Sequence, residues 1–482
     1  MNLSAIQAAF PQDPIPDVSA YYSERIRLWR DIFENNPPWL KVKRGGLYKK
    51  GDRSRYTLST AKVLCDHFSA LTFSEQCSIT VSNEQYQSYI DQQLERNGFW
   101  DNMPLLLTDA YALGGGVVKV YADQKQPQLS YIHAEQFLPT GWDSKTVLAG
   151  DFVSTTRSKE YYYTLVERHQ RGRITHKLFQ ARSNGEVGTP CPLSTLYAFP
   201  EQTDYQTDTP MFAYFKPCVS NNAEYDTPLG MSIYANALST LEALDIAFDS
   251  FVREFLLGKK RIIVPASAIQ TVVDPTSGEL VRYFDADDEA FVALKADDTK
   301  EMKITDNTIT LRIEEHVAGI NALLNILCFQ VGLSPGSLSF DAVQGLKTAT
   351  EIISQDSKTA RTVKSNKNLL TETIETIIHA LIAVGVFLKL IPQAEYTVTV
   401  GWQDNIVIDD NTLIDNNIKL VDAGLKSKVK AIMDVQKCDE AEALAELERI
   451  AKEQSVGGLA VDDFLSSRKG EGDDTSGTDA VE

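Results

Sequence analysis

The stretch Glu314–Leu390 constrains this chain most. Val317, Ile320, Leu324, Leu327 and Val331 recur at three- and four-residue steps, the period of a helix with one buried stripe. Gly332 ends that helix and Pro335-Gly336 keeps it ended, because glycine accepts a left-handed cap and proline cannot continue the hydrogen-bond ladder. The loop Leu333–Leu346 is rich in glycine and serine and poor in charge. Lys347-Thr348-Ala349-Thr350-Glu351 then opens a second helix with no Pro or Gly before Gly385, and Ile353, Ala360, Val363, Leu370, Ile374, Ile377, Leu381, Val384 and Leu388 mark its apolar side. A helix over Lys347–Leu390 would run roughly 60 Å at ~1.5 Å per residue, with Gly385 as its candidate kink. Such a shaft predicts packing against several neighbours.

A matching helix is predicted over Ser232–Leu257, with Leu241, Leu244, Phe248, Phe251 and Phe255 apolar and Glu242, Asp245, Asp249 and Glu254 polar. Gly258 ends it. Between the two lies a short insert, Lys259–Ile313, with strands expected at Arg261–Pro265, Leu280–Phe284 and Ile309–Ile313 and a turn at Asp274–Gly278. The order is helix, small β insert, helix, loop, long helix. Phe251 and Leu324 are expected at contacts between copies.

Upstream, helices are predicted over Val18–Asn35, Tyr56–Ser69, Asn83–Asn97 and Asn102–Leu113. Met1–Asp17 is proline-punctuated and expected to be mobile. Gly114-Gly115-Gly116 follows a helix and precedes a strand, the reverse of a phosphate cradle, and reads as a helix stop. Strands are expected over Val117–Tyr121, Gln128–Ile132, Thr146–Thr155, Tyr161–His169 and Arg173–Ala181, and Cys191–Thr227 as a proline-rich connection. The triple Tyr161-Tyr162-Tyr163 leads into an alternating strand and reads as packing, not as a base-stacking platform. Downstream come a strand at Tyr396–Trp402 and helices over Asn411–Ala423, Ser427–Met433 and Asp439–Gln454. Glu471–Glu482 has no basic residue, and this tail is expected to be disordered. The fold class is α+β.

With 47 basic and 66 acidic residues the net charge is −19. That argues against a chain-wide basic footprint for gripping nucleic acid, whereas acidic walls would repel phosphate and prevent sticking. Six scattered cysteines without a CxxC pair read as free thiols. Met1–Phe10 lacks the basic and apolar regions of a signal peptide, and Ile377–Leu388 is shorter than the ~20 residues a bilayer needs. No membrane, metal or cofactor is expected.

Two motif matches fail on context. Gly332-Leu333-Ser334-Pro335-Gly336 fits G-x-S-x-G, but a helix precedes the serine, and Pro335 has no N–H for an oxyanion. Gly345-Leu346-Lys347-Thr348 separates the Gly-Lys pair that a P-loop requires. The six histidines form no HExxH. No enzyme activity is expected.

The element order, with Gly332-Leu333-Ser334-Pro335-Gly336-Ser337-Leu338-Ser339-Phe340-Asp341 running into Lys347-Thr348-Ala349-Thr350-Glu351, resembles the portal proteins of tailed bacteriophages, most closely the siphophage type of Gram-positive hosts. The resemblance covers most of the chain and is strongest over Thr227–Leu390. It implies a wing (1–229, with a returning strand in 392–410), two stem helices (230–258 and 314–332), a clip (259–313), a tunnel loop (333–346), a long helix (347–391), a crown (411–460) and a disordered tail (461–482). It implies a dodecameric ring at one capsid vertex of the virion, assembled in the host cytoplasm, through which double-stranded DNA is packaged, retained and ejected. Terminase, major capsid, scaffolding and head-completion connector proteins are the implied partners. Within that frame Ser337, Ser339, Asp341, Gln344 and Lys347 are the tunnel-loop candidates. Glu242, Asp245, Asp249, Lys358, Arg361 and Lys364 are candidates for a channel or inter-subunit helix face. Arg282, Asp285, Asp287 and Asp288 are candidates for docking the motor. A capsid or head–tail connector protein without a through-channel is the alternative, and an unrelated soluble enzyme is a remote one.

Overall fold

The computed structural model describes residues 3–13, 18–44, 51–73, 77–123, 125–144, 146–224, 227–258, 310–340, 357–402, 410–436, 438 and 442–452, together with five short strands between 262 and 306. Two compact units divide the chain. The first comprises Met1–Gly345 with Gln355–Gln403, and the second Leu346–Ser354 with Asp404–Glu482.

In the first unit, α1 (Leu3–Ala9), α2 (Val18–Phe33), α3 (Thr60–Phe73), α4 (Glu84–Arg96) and α5 (Phe99–Leu113) precede the main sheets. Asn83 caps α4 by accepting the N–H groups of Gln85 and Tyr86, the role for which asparagine is favoured at this position. Next follow α6 (Leu238–Leu257), α7 (Ile313–Val331) and α8 (Ser357–Phe387). The large core runs through Trp29, Leu64, Phe68, Ile90, Leu107 and Tyr111 into Leu244, Leu327, Ile374, Ile377 and Leu381. Apart from α1, sequence periodicity located these helices to within a few residues, although α3 starts four residues later than expected and α6 six. Residues 347–356 of the expected long helix lie outside the described residues. No break separates Gly385 from the rest of α8, which continues to Phe387.

Three of the apolar strands form one antiparallel sheet, ordered Phe212–Phe215, Gly116–Asp123, Gln126–His133, and α8 packs on it. A second sheet is a meander of Phe137–Asp143, Thr146–Ser158, Tyr161–Gln170 and Arg173–Ala181, extended by Thr189–Cys191 and Gln202–Asp204. Thus the segment Cys191–Thr227, expected to be connection only, supplies short strands. Val398–Gly401 returns as expected but pairs with Ser78–Val81 in a separate two-stranded sheet. Tyr163 packs among Leu165, Leu178 and Leu193, as its strand position implied.

The glycine triple does more than stop α5. Gly114 closes the helix at φ +84, its N–H donating to the carbonyl of Ala110. A Cβ on Gly230 would lie 2.3 Å from the Gly114 carbonyl oxygen. Two backbones therefore cross where neither tolerates a side chain, locking α5 to the entry of α6.

Residues 3–13 are ordered, against expectation. Ala5 and Ile6 of α1 bury against Leu138, Val153, Val166 and Phe179 of the meander. The Arg168 guanidinium lies 3.5 Å from the Phe10 ring centroid and pairs with Asp13 as well as with buried Asp151. An apolar patch and one arginine hold what composition alone reads as loose.

His176 is buried in the same meander. Its Nδ1 is 3.1 Å from the Pro200 carbonyl oxygen, and its ring is 4.4 Å from that of Phe199. Burial lowers its pKa from 6.5 to about 4. A depressed histidine contributes stability above the unfolded value that is lost as pH falls through the folded one. The meander should therefore weaken between pH 6.5 and about 4, by up to about 3 kcal/mol from this residue. His176→Gln should flatten that part of the melting-temperature curve, and an unchanged curve would exclude His176 as its source.

In the second unit, α9 (Asp410–Asp422) and α10 (Lys428–Gln436) pack together, and residues 442–452 form a further helical run. The expected tail from 461 lies outside the described residues.

Candidate functional site

The site is built on α6 and α7, which pack side by side. Leu241, Leu244, Ile320, Leu324 and Leu327 are buried between these helices and their neighbours. Phe251 sits in an aromatic cluster, with ring centroids of Phe255 at 5.2 Å, Phe340 at 5.9 Å, His316 at 6.0 Å and Phe248 at 6.5 Å. Leu324 is buried and Phe251 half-buried within one chain. The outward apolar residues are Ile246, Phe255 and Leu256 on α6 and Ile313, Ile326 and Phe329 on α7, with Phe329 70% exposed.

Where α6 ends and α7 begins, Arg312 donates from Nε (3.1 Å) and Nη2 (3.0 Å) to the two oxygens of Glu254. The Nε2 of His316 is 3.7 Å from the same carboxylate. The Arg312 bonds pull the Glu254 pKa down to about 2. This clamp joins both chain crossings into the insert. Among the described residues the insert holds a three-stranded sheet, with Ile262–Pro265 parallel to Phe291–Leu294 and antiparallel to Thr305–Asp306. A hairpin of Thr271–Val273 and Leu280–Arg282 accompanies it. The strand expected at Ile309–Ile313 is absent over 310–312, and α7 already starts at Ile313.

The acids of α6 have partners inside the chain. Asp245 is 7% exposed and accepts from Trp39 Nε1 (2.8 Å) and the Leu58 N–H (3.0 Å). Asp249 is 5% exposed and accepts from both Nη atoms of Arg53 (2.5 and 2.7 Å) and the Tyr56 N–H (3.1 Å). Burial raises the Asp245 pKa, whereas the Arg53 bonds hold Asp249 below the usual carboxylate range. Glu242 is half exposed and 3.9 Å from Arg55. Asp245 and Asp249 therefore offer no free carboxylate to a channel: they fasten Trp39, Arg53, Tyr56 and Leu58 onto α6.

The first half of the loop after α7 is braced. Gly332 caps α7 at φ +87, and its carbonyl accepts from Thr362 Oγ1 at 2.7 Å. The Ser334 N–H donates to Thr359 Oγ1 (2.9 Å), the Gly336 N–H to Asn325 Oδ1 (2.8 Å) and the Phe340 N–H to Asn321 Oδ1 (2.8 Å). Ser337 Oγ donates to the Ser334 carbonyl at 2.8 Å, and Ser339 is exposed. Ser334 is 1% exposed and its Oγ accepts from Thr359, so this serine is not presented on an elbow. Gly336 is tied to α7 through Asn325. Asp341, Gln344 and Lys347 lie outside the described residues, as does the Gly345-Lys347 segment.

On α8, Lys358 Nζ is 4.3 Å from the Phe329 ring centroid and 2.9 Å from the Phe329 carbonyl oxygen. Lys367 lies over the Trp402 ring at 5.4 Å. Arg361 and Lys364 are exposed. By composition α8 is long and apolar enough to cross a bilayer, which corrects the expectation from Ile377–Leu388 alone, yet Leu370, Ile374, Ile377, Ile378, Leu381 and Val384 are fully buried in the core.

A family model described as phage portal protein, SPP1 Gp6-like, matches residues 15–456. The chain belongs to this portal protein family. A solved structure, the virion of a native gene transfer agent particle, is similar at TM-score 0.39 and 11% identity, covering 78% of this chain and 88% of that one. No curated relative matches the sequence.

Against the residues expected to act in a portal protein, the structure ties Ser337 back to the Ser334 carbonyl and leaves Ser339, Arg361 and Lys364 exposed. Arg282 stands in a strand, opposite Thr271. Asp285, Asp287 and Asp288 lie outside the described residues. Sequence reading passed over the hairpin Lys41–Arg44/Gly51–Ser54, whose register pairs Val42 with Arg53 and Lys43 with Asp52. Its signal was available: Lys41–Arg55 holds seven cationic residues and a single acid, Asp52, in a chain of net charge −19.

Proposed function

We propose that this portal-family chain assembles into a ring, expected to be dodecameric, that forms the DNA conduit at one vertex of the capsid. Family membership over residues 15–456 carries the reading. It is supported by α6 and α7, which flank a small β insert, and by the braced residues Leu333–Phe340 that follow α7. In this reading α6 and α7 form the stem, the insert is a clip that docks the packaging motor and later the head-completion connectors, and α8 crosses the wing. The second unit is the crown, and capsid and scaffolding proteins meet the wing. The loop supplies a collar around DNA, with Leu333–Phe340 as its fixed base and Ser337 and Ser339 as weak phosphate contacts that avoid the salt-dependent grip of lysines. The role is structural and not enzymatic.

The test is to label the full chain with a compact epitope and image assembled particles. Label at a single vertex is the expected outcome. Label on every vertex, or a chain absent from particles, would contradict the proposal.

A further inference from the structure

We propose that Arg361 and Lys364 of α8 contact the phosphate backbone of double-stranded DNA. The partner rests on the conduit reading above; the site rests on the chain itself. Between Ser357 and Thr371 the helix carries four cations, Lys358, Arg361, Lys364 and Lys367, and no acid; the first carboxylate after them is Glu372. In a chain of net charge −19, such a cationic run is the local form of a nucleic-acid footprint.

The four cations divide into two kinds. Lys358 is half-buried, donates to the Phe329 carbonyl at 2.9 Å and lies 4.3 Å from the centroid of that ring. Lys367 is half-buried as well, over the Trp402 ring at 5.4 Å. Both are occupied within the chain. Arg361 and Lys364 are exposed, and among the described residues no carboxylate bridges either of them. The positions three and four residues away from each hold only neutral residues or further cations. Neither therefore has the acid that would balance it on the helix surface, and like charges one turn apart repel. A polyanion laid along this face turns that repulsion into attraction.

The place of the pair points to DNA. From the same two turns of α8, Thr359 Oγ1 accepts the Ser334 N–H at 2.9 Å and Thr362 Oγ1 donates to the Gly332 carbonyl at 2.7 Å. Arg361 and Lys364 are thus fixed to the base of the loop that the conduit reading places around the duplex. Three residues advance a helix by about 4.5 Å, close to the ~3.4 Å axial step between phosphates on one strand, so two long side chains can take neighbouring phosphates. Only Arg361, Lys364 and Asn368 are exposed between Lys358 and Thr371. A face with no exposed apolar residue fits a polyanion better than a protein partner, because the cores of protein interfaces are apolar and depleted in lysine. The contact needs no base reading, and its strength should follow counterion release.

The test uses the full-length protein and a fluorescent 30-bp duplex, titrated by anisotropy over a salt series, with ring size read in parallel by mass photometry. Arg361→Gln/Lys364→Gln removes both charges and keeps good helix formers at both positions. Its duplex affinity should fall at least about tenfold, and its log–log salt slope should become shallower by about 2, one for each phosphate that is no longer neutralised. Arg361→Lys/Lys364→Arg should retain wild-type binding. Unchanged affinity and slope in the glutamine variant, or no duplex binding by wild-type rings, would overturn the α8 contact while leaving the conduit reading intact. Rings that fall apart in the glutamine variant with duplex affinity kept would assign the pair to a second copy and equally overturn it. Absence of rings from the wild-type protein would count against the conduit reading, and the duplex titration would still decide the α8 contact.

Discussion

Asp249→Ala should lower the unfolding free energy by about 3 kcal/mol. The carboxylate accepts three hydrogen bonds, two of them charge-assisted, at a buried position. Its removal leaves Arg53, itself only 17% exposed, without its counter-charge, and breaking one side of such a pair costs more than the pair contributes. The double variant Arg53→Met/Asp249→Ala should recover part of the loss, since the stranded charge is gone. Asp249 is held below its ordinary 3.8, so its contribution is present above that value and lost as pH falls through the folded pKa. The gap between wild type and Asp249→Ala should hold near neutrality and close in acid. Urea titrations at two pH values measure both. A loss below ~0.5 kcal/mol at pH 7, the range of an ordinary surface change, would mean that the hairpin is not fastened to α6 through this residue.

Ile326→Asp/Phe329→Asp should convert rings into single chains while leaving the fold intact. Ile326 is 48% and Phe329 70% exposed, so within one chain the change is that of a surface substitution, within about 0.5 kcal/mol. Covered by a neighbouring copy, each side chain would contribute roughly 1.5–3 kcal/mol, repeated at every interface of a closed ring. Mass photometry and a melting curve separate the two effects. Rings of unchanged mass would remove this face of α7 from the subunit interface. Phe251→Asp would be the weaker probe, because Phe251 packs against Phe255, Phe340 and His316 of its own chain and its loss would disturb the helix pair first.

Much of the helical framework was legible because its signals are local. The stripe from Val317 to Val331 and the stop at Gly332 are set by side chains one turn apart, and α7 follows them. Partners distant in sequence were not legible. Asp245 and Asp249 look like a polar helix face until Trp39 and Arg53 arrive from about 200 residues away. Ala5 and Ile6 look like part of a loose N-terminus until the meander offers a patch to cover. The loop from Leu333 looked free because its brace comes from amide and hydroxyl side chains, Asn321, Asn325 and Thr359, and hydrophobic period says nothing about these. The hairpin at Lys41 was missed for another reason: its strands lack the apolar alternation by which strands are recognised, and its charge run carries the only signal.

Cryo-electron microscopy of the purified full-length protein tests the central claim most directly. The account predicts closed rings, twelve subunits around, with an open axial channel wide enough for a DNA duplex and with α6 and α7 of each chain packed against the next. Monomers, or a closed assembly without a through-channel, would contradict it.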